Sequence, residues 1–585
     1  MLRYDLTTPY ADGLDLSAPL PDYPRPAFRR EAWLSLNGQW DYSIVRDGAI
    51  DAPPCGKLTV PFPIESALSG VGRPLRRGEY LILSRGFALP HDYAGKRILL
   101  HIGAADQVAE VFCNGAPVGR HTGGYLPMTF DITSAVRDGE NLLAVRIRDD
   151  GGYALPSGKQ RKKRGGIWYT PVSGVWQTVW LEPLSPCAVT GMTVVPDPAS
   201  GRVRISLSGD FRRVKLTVGL GGEELLSLSG EEKDETFAIP SDRVRLWSPE
   251  EPTLYDLTVE TEDDRVESYF AFRSFSTDGR RFLLNGAPYF PNGVLDQGYF
   301  SDGIYTPASY AAYRDDILAM KELGYNTLRK HIKIEPQIFY YLCDKLGMLV
   351  FQDMVNVGRY SFFKDTILPF SGFRRGKPYV NVNKSQQKVF RDHALETQKL
   401  LYPHPSVVLY TIFNEGWGQF DGDGMYDLLS SADPTRLYDA TSGWFSERRS
   451  DVQSEHIYFK PVRVRRRGGR PVLLSEFGGY SLALEGHRFN TGSTFGYRNY
   501  RDAESFAAAV DALYRDEILP AVREGLAGAI YTQLSDVEDE CNGLLTYDRR
   551  IRKLPKEAFR ARMEEIYAAF RAAGAGDSPE NTRTK

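Results

Sequence analysis

Two apolar runs in the sequence each end on a glutamate: Val407-Val408-Leu409-Tyr410-Thr411-Ile412-Phe413-Asn414-Glu415-Gly416 and Pro471-Val472-Leu473-Leu474-Ser475-Glu476-Phe477-Gly478-Gly479. A short unbroken run of this kind, bounded by Gly or Pro, reads as a strand buried on both faces, the setting of parallel sheets and closed barrels. In a closed barrel the C-terminal strand ends carry the chemistry. A carboxylate at two such ends points to a facing pair able to act as proton donor and nucleophile. One strand-end glutamate is explained equally well by capping or by pairing with an arginine. Two sharing one grammar, with the amide of Asn414 beside the first, argue for function.

The second half of the chain supports the barrel. Strand-like runs at 290–295, 327–331, 349–352, 407–413, 437–441, 456–458, 472–475 and 529–534 alternate with helical stretches such as 310–323 and 503–519. Eight strands in about 300 residues match a (β/α)8 TIM barrel. Glu415 then closes the fourth strand and Glu476 the seventh, facing each other across the mouth.

The first half has a different texture, with short alternating runs punctuated by Gly, Pro, Asn and Asp. Ala109-Glu110-Val111-Phe112-Cys113 runs into Asn114-Gly115, a strong hairpin signal. The expected organisation is multidomain: a β-sandwich jelly roll over 1–184, an immunoglobulin-like β-sandwich over 185–275, a catalytic barrel over 276–573 and a polar tail over 574–585.

With 585 residues and a net charge of −3, the chain can bury several cores and has no electrostatic reason to seek nucleic acid or a membrane. The basic runs Arg161-Lys162-Lys163-Arg164 and Arg463-Val464-Arg465-Arg466-Arg467 lie beside glycines and read as solvated loops. Cys55, Cys113, Cys187, Cys343 and Cys541 show neither disulfide nor zinc spacing. Reduced thiols, and the absence of an apolar leader or long apolar run, point to the cytoplasm. There is no serine-hydrolase elbow, metalloprotease helix, phosphate loop or dinucleotide pattern, so no organic cofactor and no metal is expected.

Two carboxylates are the machinery of glycoside hydrolysis. Groups about 5–5.5 Å apart displace twice and retain configuration, whereas about 6.5–9.5 Å admits a water and inverts. At this point the chain resembles glycoside hydrolase family 2, over nearly its whole length. The resemblance rests on Trp33-Leu34-Ser35-Leu36-Asn37-Gly38-Gln39-Trp40, His121-Thr122-Gly123-Gly124-Tyr125, Phe130-Asp131-Ile132-Thr133, Ser173-Gly174-Val175-Trp176, Leu246-Trp247-Ser248-Pro249 and the two glutamate motifs, in this order. It implies Glu415 as acid/base, Glu476 as nucleophile, Asn414 gripping a sugar hydroxyl, Tyr458 bonded to the nucleophile and His331 binding sugar.

The same resemblance exposes departures. Asp296-Gln297-Gly298 stands where β-galactosidases and β-glucuronidases carry Arg-His-Glu, and Tyr531 stands where a tryptophan is expected. No Asn-x-Lys pair is available near the mouth for a uronate carboxylate, which disfavours a glucuronide, although Lys333 or Arg329 could substitute. Trp417 and Trp444 could floor a sugar site, because sugars expose an apolar C–H face. The acidic string Asp536-Val537-Glu538-Asp539-Glu540 reads as a solvated loop. The implied activity is retaining, exo-acting hydrolysis of a terminal β-galactoside-like sugar from an oligosaccharide or glycoside. The alternatives are a β-glucuronide, arabinoside or galactofuranoside substrate, or a catalytically silent carbohydrate-binding protein. A homo-oligomer is in keeping with the family.

Overall fold

The computed structural model describes residues 2–361, 363, 365, 380–465 and 468–575. Two antiparallel sheets make the first domain. Six strands, including Gly38–Val45, Tyr80–Ala88, Val108–Cys113 and Glu140–Arg148, face four that include Arg97–Ile102 and Val179–Leu184. The alternation seen in the sequence places Trp40, Leu81, Val111, Val145 and Leu181 in one buried core between them. Asn114 and Gly115 both take positive φ, +51° and +80°, the geometry that lets a two-residue turn follow the twist of its strands. Cys113 accordingly pairs with Ala116.

The second domain packs a three-stranded sheet (Val189–Asp197, Arg202–Gly209, Asp234–Ala238) on a four-stranded one (Val214–Leu220, Glu223–Gly230, Tyr255–Glu260, Arg265–Phe270). Val203, Ile205, Leu216, Val218, Leu257 and Val259 fill the space between. This is the immunoglobulin-like sandwich.

Eight parallel strands then form the barrel: β1 (Asn292–Asp296), β2 (Thr327–Lys330), β3 (Leu349–Asp353), β4 (Val407–Phe413), β5 (Leu437–Thr441), β6 (Gln453–Ile457), β7 (Val472–Gly478) and β8 (Leu526–Thr532). Neighbours in sequence are neighbours in the sheet, and β1 pairs with β8. The ring is hydrogen-bonded all round except between β5 and β6. Every residue of β4, β7 and β8 is buried, because each strand faces the lumen on one side and helices on the other. Leu295, Phe351, Leu409, Leu473 and Ile530 fill the lumen together with Trp247, Phe275 and Phe282 from the segment ahead of the barrel. Val294, Leu328, Tyr410, Leu474 and Tyr531 pack outward against the helices.

The helix expected at 503–519 runs from Ala503 through a π-turn at Tyr514–Ile518 into Leu519–Arg523. Pro520 offers no amide to a regular α-helical ladder, and the wider turn before it absorbs the mismatch. Gly574 and Ala575 still belong to the last helix, Lys556–Ala575, and the rest of the expected polar tail lies outside the described residues.

The acidic string after β8 is a buried clamp, contrary to the solvated loop expected. Asp536, Glu538, Asp539 and Glu540 are each 5% exposed or less. Lys553 pairs with Asp536 at 2.6 Å. Arg164 of the first domain binds Glu538 and Asp539, the Thr170 amide donates to Glu538 and the Tyr169 hydroxyl donates to Glu540. The basic run 161–164 is therefore only partly solvent-facing: Arg164 docks two domains, while Lys162 and Lys163 are exposed. In the second basic run, residues 466 and 467 lie outside the described set.

Candidate active site

The fold brings the two strand-end glutamates together. A carboxylate oxygen of Glu415 lies within 4.8 Å of one of Glu476, with the ring of His456 between them. Local backbone irregularity aims both groups. Glu415 takes a left-handed conformation, φ 51° and ψ 29°, directly after β4, a cost seen where surrounding structure over-determines a functional residue. In the β6–β7 ladder Glu455 faces Leu474 but His456 faces Glu476. The bulge at Ser475 turns Glu476 into the lumen, as such bulges do beside active sites.

Glu476 accepts from Tyr458 Oη at 2.6 Å and from Arg329 Nη1 at 3.0 Å. Burial alone would raise its pKa. The charges of His456, Arg329 and His331 and the Tyr458 hydroxyl outweigh burial and hold the carboxyl well below the usual carboxylate range. His456, fully buried, reaches Glu415 Oε1 at 2.9 Å through Nδ1 and lies 3.5 Å from Glu476 Oε1 through Nε2. Arg329 Nη1 also comes within 3.4 Å of His456 Nε2. The donor atoms of Glu415, His456 and Glu476 are spaced as for a metal ion, but Arg329 already holds a fixed positive charge against two of them.

Arg329 is the hub of the mouth. Its Nε binds Asp353 at 3.0 Å, Nη1 binds Glu476 and the Ser475 carbonyl at 3.0 Å each, and Nη2 binds Asn414 Oδ1 at 2.8 Å and Ser442 Oγ at 3.2 Å. Strands β2, β3 and β7 and the residues directly after β4 and β5 are thereby tied to one buried side chain. No donor is left for a uronate, which corrects the role foreseen for Arg329. Arg329→Met is expected to lower stability by roughly 3–5 kcal/mol, because Asp353 and Glu476 would stay buried without their cation. Urea denaturation would show it as a lower midpoint, and adding Glu476→Gln on that background should recover part of the loss.

Other sequence candidates divide into those at the carboxylates and those elsewhere. Asn414 is buried, its carbonyl oxygen accepting from both Arg329 and Ser442. His331 bonds Asp353 at 2.7 Å. Trp444 is half-buried and edge-on to His456, ring centres 5.8 Å apart. Asp296 and Lys333, by contrast, belong to a buried chain of charges. Asp296 binds Lys330 at 2.6 Å and the Gly298 amide at 2.8 Å. Lys333 donates to the carbonyls of Gly298 and Tyr305 and to Glu335. Neither retains the free polar atom that sugar recognition requires.

Trp417 is 2% exposed, closed in by Trp168 and Tyr360 at 5.3 and 5.8 Å, so it backs the site without offering a face. Tyr531 points the wrong way for its expected role. It packs on Phe477 and Tyr514 in the strand–helix layer, because in a strand alternate residues leave the lumen. The next residue, Thr532, reaches the site and contacts Tyr458 Oη at 3.0 Å.

Sequence reading missed His456, Asp353, Ser442 and Tyr497. Asp353 carries the same signal as the glutamates, an apolar strand ending on an acid. Tyr497 stacks on Tyr458 with centres 3.8 Å apart and planes 12° apart. Burial and the charges of Glu415, Glu540 and Glu476 push its hydroxyl up. A cleft of about 660 Å³ between the second domain and the opposite end of the barrel, lined by Arg204, Arg273, Tyr402 and Arg436, is remote from all of these groups.

Known proteins resemble this arrangement throughout. Residues 34–156 match the sugar binding domain of glycosyl hydrolases family 2, 191–273 match the model described simply as glycosyl hydrolases family 2, and 279–463 match that family's TIM barrel domain. A β-galactosidase of Aeromonas hydrophila is 27% identical over 481 residues, 74% of this chain and 44% of its own length. One from Thermoanaerobacter pseudethanolicus is 27% identical over 46% of this chain and 38% of its length. The chain thus spans less than half of these relatives. Among solved structures, a β-galacturonidase of Eisenbergiella tayi has a TM-score of 0.67 at 21% identity, covering 93% of this chain and 99% of that one. At that identity the likeness concerns the fold alone. Three models of one family, matched in order over about two thirds of the sequence, go further, and the chain belongs to glycosyl hydrolases family 2.

Proposed function

We propose that the protein is an exo-acting, retaining β-glycosidase. The observation carrying this reading is the approach of Glu415 and Glu476, one oxygen of each, to within 4.8 Å, in keeping with the roughly 5–5.5 Å of double-displacement enzymes rather than the roughly 6.5–9.5 Å of inverting ones. Glu476, kept ionised by its neighbours, attacks the anomeric carbon while Glu415 passes a proton to the departing oxygen. Water then attacks the glycosyl–Glu476 ester and loses its proton to Glu415. Tyr458 and Arg329 orient the nucleophile through one carboxylate oxygen each. His456 joins the two glutamates and positions the acid/base.

The relatives' names direct the choice of sugars to β-galactosides and β-uronides. A cytosolic setting belongs to the same reading, supported by five unpaired cysteines, of which Cys113, Cys343 and Cys541 are buried. Among the described residues no helix is long and apolar enough to cross a membrane.

A panel of p-nitrophenyl β-glycosides, with the first-formed sugar followed by proton NMR, tests the proposal. Release of the β-anomer ahead of mutarotation is expected. First release of the α-anomer, or no cleavage of any member, would refute it.

A further inference from the structure

The first domain lays a loop against the barrel mouth, and the loop carries two cations that, among the described residues, form no ion pair. Lys159 is half-buried, and among the described residues its ammonium makes no hydrogen bond or ion pair. It stands 5.5 Å from the centre of the Trp168 ring. The Arg161 guanidinium lies 3.5 Å from the centre of that ring, with its Nε buried and unbonded.

Two contacts fix this pair beside the catalytic pocket. Gly158, at φ +57°, lies so close to the barrel that a Cβ there would meet the Ile332 carbonyl at 2.9 Å and Tyr125 Oη at 2.8 Å. Ile332 directly follows His331. Trp168 packs edge-on against Trp417, whose chain position is two beyond Glu415. The electrostatics agree: burial depresses the basicity of His331 and the charge of Lys159 depresses it further, while the same charge offsets the burial that raises Glu540.

Hydrogen bonds tie the loop down on both sides. The Tyr169 amide donates to the Lys159 carbonyl at 3.1 Å. Gln160 binds Asp106 and Tyr125 at 2.9 Å each, and Tyr169, Thr170 and Arg164 hold the acidic clamp. Inside the barrel, meanwhile, Arg329, Lys330 and Lys333 are all bonded to carboxylates. A half-buried ammonium that makes no hydrogen bond keeps its donors for an incoming anion, and a preset donor binds with less ordering loss.

We propose that Lys159, seconded by Arg161, recognises an oxyanion on the glycoside, a carboxylate or a sulfate, and so selects acidic over neutral sugars. The proposal rests on the glycosidase reading above. The competing role, a distant counter-charge for Glu540, would affect every substrate alike.

Matched p-nitrophenyl substrates separate the two roles: β-galactopyranoside, β-galacturonide and β-galactoside 6-sulfate, with the gluco counterparts. The wild-type protein is expected to favour an anionic member by at least about tenfold in kcat/KM. Whichever oxyanion wins identifies the group read. In Lys159→Met the anionic-to-neutral ratio should fall about 10- to 100-fold through KM, the effect of losing one charge-assisted hydrogen bond, and Lys159→Arg should restore part of it. The same ratio in Lys159→Met as in wild type, or a wild-type preference for the neutral sugar, would overturn the assignment and leave the retaining mechanism intact. Failure to cleave any member would remove both.

Discussion

Glu476→Ala is expected to lower kcat by on the order of 10⁴–10⁶, the cost of removing a covalent nucleophile from an otherwise intact site. The fold should survive, because Arg329 keeps Asp353, Asn414 and Ser442 as partners. Mass spectrometry of the wild-type protein after reaction with an activated 2-deoxy-2-fluoro glycoside should find the sugar on the peptide that contains Glu476. An adduct elsewhere, or a variant within tenfold of wild type, would end the assignment. The depressed pKa of Glu476 adds a pH signature. A carboxyl held low stays ionised as pH falls from 7 to 5, so any loss of kcat/KM across that interval must arise in another group.

Glu415→Ala should behave differently, and the difference identifies the acid. General-acid help is worth about 10²–10⁴, so kcat/KM should drop by that factor for an alkyl or unactivated aryl leaving group. For dinitrophenyl glycosides, which depart unaided, it should hardly change. Deglycosylation would then limit turnover, and azide should restore it by attacking the ester from the face that water normally uses, giving a glycosyl azide of retained configuration. An azide product from Glu476→Ala would carry the inverted configuration. Equal losses for good and poor leaving groups in Glu415→Ala would show that this residue is not the proton donor.

What the sequence disclosed about this molecule was local. Burial on both faces marks a strand such as β4 or β7 without reference to its neighbours, and Asn114-Gly115 dictates its own turn. The strand-end position of each glutamate followed at once. Partnership across the fold was hidden. Arg329 and Glu476 are 147 positions apart, so nothing in Arg329-Lys330-His331 tells a sugar-binding cation from one already fully bonded. Direction within a strand was equally hidden at Tyr531, where a one-residue difference decides between lumen and helix layer, and the neighbouring Thr532 took the place at the mouth. The acidic string was misread for the same reason. Its partner Arg164 lies more than 370 residues earlier, and composition alone makes such a run look solvated.

That clamp separates two things an evolving enzyme must change at different speeds. The paired glutamates sit at strand ends whose geometry tolerates little alteration, because Arg329 ties together three strands and the residues that follow two others. The loop over the mouth belongs to another domain and is anchored by Gln160, Arg164 and Tyr169. Residues of that loop other than its anchors, Lys159 among them, can therefore be exchanged without disturbing the strands that hold the paired glutamates.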